Sequence, residues 1–474
     1  MPVWLGGAVR RPFGTVTHRV TSLGTSEPTY MFEHQGAATA AGETGVPAST
    51  RPTPRSRVAV RSSETGEIMR PTSSCAPELD AAGTSRIEDA PVICFSHLRW
   101  DFVYQRPQHL LSRIGKRQPV YVIEEPVFEE VAEPLLRSSA RSEGVTVAVP
   151  VLPHGLSESG KILAQRQLVD ELLESLGAER RVFWYYTPMA LLFSRHLEAD
   201  LTVFDNMDQL SAFKGAPPEL IALEDEMLAR ADVVFTGGRS LYEAKKHRHG
   251  NIHAFPSSID VEHFSRGRAE DRRDPEDQAA IPHPRVGFFG VIDERMDIGL
   301  VAEIAAKRPQ WQLVMVGPVV KIDPADLPRA ENVHWLGGRD YKDLPSYVGG
   351  WDAAFMPFAL NESTRFISPT KTPEFLAAGA TVTSTPITDV IADYGEAGLV
   401  KIASTADEMI AAIEEQMAMD RGPWLARVDA KLADNSWDQT FERIYALATS
   451  AAHARRRSRA TALGVEAVKE AANV

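Results

Sequence analysis

The chain alternates short, continuously apolar runs with longer segments whose apolar residues recur at helical spacing. Runs such as Pro91–Phe95, Val120–Ile123 and Val286–Phe289 predict buried strands, and Ile162–Leu176 predicts an amphipathic helix. Strands of a parallel sheet are covered by helices on both faces, so they read as continuous apolar runs rather than alternating ones. The pattern therefore predicts an α/β chain with doubly wound parallel sheets.

Two stretches interrupt this alternation. The first is rich in Ser, Thr, Pro, Gly and Ala without a sustained period, and such a segment cannot bury enough apolar area to offset its ordering entropy. The second is charged, contains three prolines and predicts a linker. The predicted organisation is a disordered extension at 1–88, a Rossmann-like domain at 89–266, the linker at 267–284, a second Rossmann-like domain at 285–430, a helical segment at 431–450 and a basic tail at 451–474.

Composition narrows the range of functions. The 474 residues carry a formal net charge of −13, which argues against general nucleic-acid binding. Cys75 and Cys94 cannot form a disulfide framework and fit a reducing compartment. No apolar run approaches the ~18 residues needed to cross a bilayer, and the N-terminus lacks a signal-peptide layout. We therefore expect a cytoplasmic protein.

Several motifs of cofactor and metal sites are missing. The chain has no GxGxxG after a strand, no GxxxxGK[ST], no HExxH and no paired CxxC. We therefore expect no nicotinamide cofactor, no P-loop and no metal site. Two doubly wound domains in tandem leave a cleft between the carboxyl ends of their sheets, and ligands of open α/β sheets bind in such a crevice.

The segment from Trp351 to Gly379 carries the richest chemistry. A buried strand is followed by a polar loop and a short helix, whose start presents Ser368, Thr370 and Lys371. Donors and a cation at a helix start favour a phosphate, and Glu374, one turn later, could accept both hydroxyls of a ribose. This order of groups suits a nucleoside diphosphate. The alternative is that Ser368 and Thr370 cap the helix and Glu374 completes a capping box.

Three segments resemble retaining GT-B glycosyltransferases of family 4. Residues 351–385 resemble the family's C-terminal signature, Phe255–Phe264 resembles the segment that ends the first domain, and Ala231–Ser240 resembles the strand and helix start before it. With Phe95–His109 added, the chain also resembles a bacterial subgroup associated with cell-surface polysaccharide and teichuronic acid synthesis.

The resemblance implies a GT-B fold, two Rossmann-like domains facing a cleft. It also implies a nucleotide-sugar donor held by the second domain, through Glu374 at the ribose, and transfer that retains configuration without a metal. The family's usual first Glu would fall at Phe366, so Glu362, four residues earlier, is the candidate for its contact with the donor.

The loop after the first strand of the second domain is the next candidate for the donor. The resemblance assigns it a cation for the diphosphate, and Arg295 fits because a guanidinium can contact two phosphate oxygens at once. Gly290 lies in the same loop, and Gly317 follows the next strand. We predict Arg295, Lys371 and Asp208 as catalytic residues. The alternatives are that Arg295 pairs with Asp293 or Asp297, and that Asp208 caps a helix.

The loop after the first strand of the chain predicts an acceptor site. Aromatic and bidentate polar side chains cluster there and suit a sugar or a phosphate-bearing acceptor. The alternative is that the aromatic residues pack in the core and the arginine pairs with a neighbour. The predicted acceptor-binding residues are His97, Arg99, Trp100, Asp101 and Arg106.

These observations favour a glycosyltransferase acting on a glycan, a lipid-linked or another cell-surface acceptor. A nucleotide-sugar epimerase and a catalytically silent partner subunit that binds sugar or nucleotide remain as alternatives. Arg113, Lys116 and Arg117 form a basic helix face, which predicts either peripheral contact with the inner membrane face or a plain solvated surface.

Overall fold

The computed structural model describes residues 87–472, and in the final helix it describes side chains as far as Thr461. The extension predicted at 1–88 therefore lies almost entirely outside the described residues. None of the described helices combines the length and the apolarity that a bilayer span requires.

The first lobe is built on a nine-stranded sheet in the order β3-β5-β2-β1-β6-β7-β8-β9, with β4 pairing antiparallel to β5 and all other pairs parallel. The sequence analysis missed β3 and β4. The strands are β1 Val92–Phe95, β2 Val120–Ile123, β3 Val127–Glu129, β4 Leu135–Ala140, β5 Val145–Pro153, β6 Val182–Tyr185, β7 Leu201–Asn206, β8 Val233–Thr236 and β9 Ile252–Ala254.

The second lobe is built on a six-stranded, all-parallel sheet in the order β12-β11-β10-β13-β14-β15. This is the strand order 3-2-1-4-5-6 of a doubly wound fold. The strands are β10 Arg285–Phe289, β11 Gln312–Val316, β12 Val333–Gly337, β13 Ala353–Met356, β14 Val382–Ser384 and β15 Val400–Ile402.

Helices cover both faces of each sheet. They are α1 Arg106–Gly115, α2 Glu158–Leu176, α3 Leu191–Ser194, α4 Glu219–Arg230, α5 Arg239–Lys245, α6 Val261–Ser265, α7 Glu276–Ala279, α8 Ile298–Lys307, α9 Leu344–Gly349, α10 Lys371–Ala377, α11 Thr388–Val390, α12 Ala406–Ala418, α13 Arg421–Leu432 and α14 Trp437–Ala472. Each sheet has one apolar core cluster on either face. The predicted α/β class with two doubly wound parallel sheets is confirmed.

The segment predicted as a linker belongs to the second lobe. Residues 267–284 include α7, and Gln278 and Ile281 are buried against this lobe. The indole of Trp351 donates a 2.8 Å hydrogen bond to Gln278. Ile259 and Phe264 are buried in the same core, so the chain enters the second lobe earlier than its charge pattern suggests.

The last helix returns to the first lobe. Trp437 of α14 stacks on His109 of α1, and Phe441 and Ile444 join the first-lobe core. The helix continues without a break across the boundary predicted at 450. The two lobes are therefore joined by two chain crossings, one before α6 and one before α14.

The same helix covers the predicted basic face of α1. Arg113 pairs with Asp438, and Arg117 pairs with Glu442, whereas Lys116 is exposed. Because two of its three cations are neutralised by α14, this face attracts an anionic surface less than the sequence predicts. Peripheral membrane contact stays a prediction.

Candidate functional site

The strand orders place a topological switch point in each lobe. In the first lobe the order reverses between β1 and β6, and in the second between β10 and β13. The loops that leave the carboxyl ends of these strands border the crevices where ligands of doubly wound sheets bind. The predicted site residues lie on these loops, on the helices that follow them, or on the neighbouring loops after β7 and β11.

Lys371 lies against the loop after β10. Gly290 directly follows this strand with φ +145°, and a Cβ at that position would overlap the Lys371 side chain. Within the described residues the Lys371 ammonium has no ion pair within 4.0 Å and no hydrogen bond. Burial lowers the pKa of Lys371, Glu374 opposes the shift, and Arg295 adds to it. A partly buried cation without a direct partner is suited to an anionic ligand.

Arg295 is held by Asp293 and faces the first lobe. Its Nε and Nη2 lie 2.9 Å and 2.7 Å from the two carboxylate oxygens of Asp293, and its guanidinium lies 5.5 Å from the ring centre of Phe213. The alternative of an Asp293 pair is thus correct. The pair nevertheless fixes the guanidinium at the interface between the lobes, where its Nη1 has no hydrogen-bond partner among the described residues.

Glu374 lies on the first turn of α10, and the residue is 6% exposed. Burial raises the pKa of Glu374 to about 7, against the opposing effects of Lys371 and of a hydrogen bond from Thr370. The structure has no capping box at this helix, so that alternative is wrong. Ser368 lies beside the first lobe, because the hydroxyl of Ser257 donates to its carbonyl at 2.9 Å. Arg295, Lys371 and Glu374 are called the second-lobe cluster below.

Asp208 faces this cluster from the first lobe. Burial raises the pKa of Asp208, and Arg295, Lys371 and Arg106 each oppose the shift. The Asp208 carboxylate accepts no hydrogen bond from the described residues. A first-lobe carboxylate and two second-lobe cations therefore lie close together in the cleft. The three residues predicted as catalytic, Arg295, Lys371 and Asp208, are thus near one another.

The predicted acceptor residues divide into interior and surface groups. Trp100 is buried in the first-lobe core. Arg106 is buried as well, and it donates to Asp205 at 2.9 Å and to the Phe255 carbonyl at 2.8 Å. These two predictions are corrected, because both side chains serve packing and internal pairing. Asp101 is exposed and pairs with Arg141.

His97 lies at the cleft. The ring forms a hydrogen bond with the backbone of Tyr186 just after β6, and its Nδ1 is buried without a hydrogen-bond partner between residues 87 and 472. Burial, together with the charge of Lys321 in the second lobe, lowers the pKa of His97 to about 4, and the hydrogen bond with the Tyr186 backbone opposes the shift. The loop after β1 thus places a histidine beside the end of β6.

Two further donor predictions differ in outcome. Gly317 has φ +154°, and a Cβ there would overlap the Gly290 carbonyl, so the two glycines let the loops after β10 and β11 pack together. The Glu362 side chain is 76% exposed and pairs with Arg365 at 3.4 Å. It is not among the charges that act on the second-lobe cluster.

Four further residues lie at the cleft. Lys321 was expected from the sequence either to pass close to the donor or to be solvated, and the other three were not singled out. Glu125 follows β2, Phe213 follows β7, and Glu294 and Lys321 belong to second-lobe loops. The Lys321 ammonium lies 4.9 Å from the Phe213 ring centre and 4.0 Å from Glu294. Glu125 could have been found from the sequence, because it is one of two adjacent carboxylates directly after an apolar strand, whereas nothing in the local sequence marks Phe213.

Over residues 87–472, no three His, Cys, Asp or Glu side chains are grouped as metal ligands would be.

Comparison with known proteins agrees with this architecture, although no family model matches the chain. The chain is 29% identical over 236 residues to the Bacillus subtilis (strain 168) protein named "Putative teichuronic acid biosynthesis glycosyltransferase TuaH". The match covers 46% of this chain and spans 59% of that relative's length.

Solved structures with the same arrangement of lobes include sucrose-phosphate synthase from Thermosynechococcus elongatus, at 14% identity and a TM-score of 0.56 over 76% of this chain and 98% of that one. They also include the Escherichia coli trehalose-6-phosphate protein bound with UDP-2-fluoro glucose, at 12% identity and a TM-score of 0.56 over 76% of this chain and 99% of that one. The chain has the GT-B fold, and the resemblance to GT-B glycosyltransferases indicated by its motifs is confirmed.

Proposed function

We propose that the chain is a glycosyltransferase that moves a sugar from a nucleotide-sugar donor to a glycan, a lipid-linked or another cell-surface acceptor. The observation that carries the proposal is the second-lobe cluster at the switch point of its sheet, with Asp208 opposite. A diphosphate needs cations, a ribose needs a carboxylate, and the cluster offers both within one turn of helix and one neighbouring loop.

The cations would act on the leaving group. When the glycosidic bond to the donor breaks, negative charge develops on the nucleoside diphosphate, and fixed cations in a water-poor cleft stabilise that charge. The ion pair with Asp293 holds the Arg295 guanidinium in one orientation, so little ordering is left to be done during the reaction. Lys371 adds a second cation, which has no competing partner at bonding distance in the described part of the chain. We propose that these two side chains take the role that a metal has in other sugar transferases.

Glu374 would select the nucleoside, and Asp208 would act at the sugar. A buried carboxylate with few partners is suited to accept both ribose hydroxyls, and the proposed ribose contact is made by the ionised form. Asp208 comes from the other lobe and is suited to orient the acceptor hydroxyl or to polarise the transferred sugar. Retention of anomeric configuration is proposed from the family resemblance.

Contacts between the lobes support a closed, water-excluding arrangement. The Asp389 carboxylate of the second lobe accepts hydrogen bonds from the backbone N–H groups of Arg239 and Ser240 in the first lobe, each at 2.9 Å. Arg239 also pairs with Asp393 at 2.7 Å. Closure of this kind limits hydrolysis of a reactive donor by water.

The absence of a glutamate at one position keeps a second candidate function, a subunit that binds the nucleotide sugar without turning it over. Phe366 stands where the family's first Glu is expected, and Arg365 lies over its ring at 5.1 Å. A silent subunit would bind the nucleotide sugar without turnover.

A thermal-shift panel of UDP, GDP, ADP and dTDP sugars tests the donor site. We expect one nucleotide class to raise the Tm of the wild-type chain and of Glu362→Ala, a matched control on an exposed carboxylate, but not that of Glu374→Ala. Equal shifts in both variants would contradict the ribose assignment. Release of the nucleoside diphosphate, with and without acceptor glycans, then separates a transferase from a silent subunit. An epimerase would convert the donor sugar without any acceptor.

A further inference from the structure

Two cations of the second lobe lie over one aromatic ring of the first lobe. The central carbon of the Arg295 guanidinium is 5.5 Å from the ring centre of Phe213, and the Lys321 ammonium is 4.9 Å from the same centre. A cation within about 6 Å of the centre of an aromatic ring and over its face is attracted by the negative charge of that face. Phe213 is therefore a point at which the first lobe covers cations of the second.

The loops that carry the two cations are joined to each other by backbone hydrogen bonds. Ile292, in the loop after β10, donates to the Pro318 carbonyl and accepts from the Val320 N–H, each at 3.0 Å. Lys321 follows with φ +62°, a left-handed conformation that is costly for a residue other than glycine and persists where its surroundings fix it. The Arg295 guanidinium is fixed in addition by the ion pair described above. The backbone segments behind both cations are thus held in place relative to each other.

Tight turns in the loop after β7 place Phe213 at the cleft. The Phe213 N–H donates to the Leu210 carbonyl at 3.3 Å, and the Phe213 carbonyl accepts from the Ala216 N–H at 3.1 Å. The same loop carries Asp208, whose carboxylate is among the charges that act on Arg295. One loop of the first lobe therefore supplies both a carboxylate and an aromatic ring to a single guanidinium of the second.

Packing within a lobe does not account for the Phe213 ring. The side chain is partly exposed, and within residues 87–472 it is not part of the apolar clusters that form the cores of the lobes. Its contacts with Arg295 and Lys321 cross the interface between the lobes, so they exist only while the lobes are closed. Separation of the lobes would expose the ring and both cations to water.

We propose that Phe213 is a positioning residue for the departure of the nucleoside diphosphate; the inference rests on the proposed transferase function. On closure the ring covers one side of Arg295 and Lys321, limits their motion and keeps water from them. Nη1 of Arg295, which has no hydrogen-bond partner among the described residues, is left for a phosphate oxygen. Fixed cations in a water-poor site stabilise developing negative charge better than hydrated ones. Stabilisation of the leaving group is thereby linked to closure of the lobes.

Graded fluorination of the ring tests the proposal on the full chain. Phenylalanines with no, one, two or three ring fluorines are introduced site-specifically in place of Phe213, because fluorine weakens the negative face of the ring and changes its shape little. Release of the nucleoside diphosphate is measured with the donor chosen by the thermal-shift panel. We expect kcat/KM to fall stepwise, by about five- to thirtyfold over the series, with most of the loss in kcat. A kcat/KM that does not change with fluorination would overturn the proposal, because a purely structural role is insensitive to the charge of the ring face.

The variant Phe213→Leu tests the exclusion of water. It keeps an apolar side chain and removes the ring, so we expect a lower kcat and a larger share of donor hydrolysed rather than transferred. Ile221→Ala is the control, since Ile221 is an exposed apolar residue on α4 of the same lobe. The control should leave both quantities unchanged. Wild-type values in Phe213→Leu, or equal changes in both variants, would contradict the proposal.

The behaviour of the wild-type chain separates two kinds of failure. If it turns over no nucleotide sugar, the proposed function and this inference both fall. If it turns over a donor at a rate that fluorination of the ring does not change, only the inference falls.

Discussion

Replacement of Lys371 by methionine separates the functional account of this side chain from a structural one. The substitution keeps the length and the apolar stem and removes the charge. In the structure the ammonium is partly buried beside Gly290 and has no ion pair within bonding distance among the described residues. Burial lowers the pKa of Lys371, so the folded chain holds the charged form at a cost. Removal of the charge should therefore leave the free energy of unfolding unchanged or raise it.

The expected effect on catalysis has the opposite sign. A charge-assisted hydrogen bond to a phosphate contributes about 1.5–3 kcal/mol, and Arg295 remains as the second cation. We therefore expect kcat/KM for the nucleotide sugar to fall by about 10- to 150-fold. A larger part of the loss should be in kcat than in KM, because the diphosphate gains charge in the transition state.

The assay is steady-state release of nucleoside diphosphate, paired with urea unfolding of the same preparations. Lys401→Met is the matched control, since the Lys401 ammonium forms a surface pair with Glu415 at 2.8 Å on β15. The control should change neither the rate nor the unfolding midpoint by much. A Lys371→Met protein that unfolds more easily and retains its kcat/KM would refute the reasoning, because it would make Lys371 a structural residue.

Three further predictions follow from buried charges. Because burial raises the pKa of Glu374 to about 7 from its usual 4.5, the wild-type chain should lose stability as the pH rises from about 4.5 to 7. Glu374→Gln should therefore be more stable than wild type by up to about 3 kcal/mol at pH 8 and equally stable at pH 4. Urea unfolding of both proteins across this range tests the prediction, and parallel pH profiles would contradict it. Arg106→Met should lower the free energy of unfolding by about 3–5 kcal/mol, because it leaves Asp205 buried and without its ion-pair partner. An unchanged urea midpoint together with a raised acceptor KM would instead support a binding role for Arg106. Asp389→Ala should remove the carboxylate that accepts hydrogen bonds from the first two N–H groups of α5 across the lobe interface, and so lower the free energy of unfolding by about 1 kcal/mol. X-ray scattering should then show a larger radius of gyration. An unchanged radius would show that the lobes stay together without this contact.

The fold was largely predictable because the strands of both sheets are continuously apolar. The predicted strand Val120–Ile123 matches β2 residue for residue, and Val286–Phe289 differs from β10 by one residue. The spacing of apolar residues along the chain predicts a helix but does not identify the element against which it packs. Trp437, for example, marks an apolar face of α14 without identifying α1 as its partner. The linker was mispredicted because its charges are satisfied locally, as in the 2.5 Å pair of Arg285 with Asp274.

The proximity of the candidate residues to one another was predictable in the second lobe and poorly so in the first. Lys371 and Glu374 are separated by one helical turn, so spacing alone brings them together. Arg106 was predicted to contact the acceptor because its internal partner, Asp205, is 99 positions away in the sequence. Glu125 and Phe213 acquire their significance only from side chains of the other lobe, and no local pattern contains that information.

A crystal structure of the chain with the nucleoside diphosphate that gives the largest thermal shift tests the central claim most directly. The account predicts that the phosphates contact Arg295 and Lys371, that the ribose hydroxyls contact Glu374, and that the leaving oxygen faces the first lobe near Asp208. A nucleotide bound on the first lobe, or bound in the second lobe away from Glu374, would contradict it.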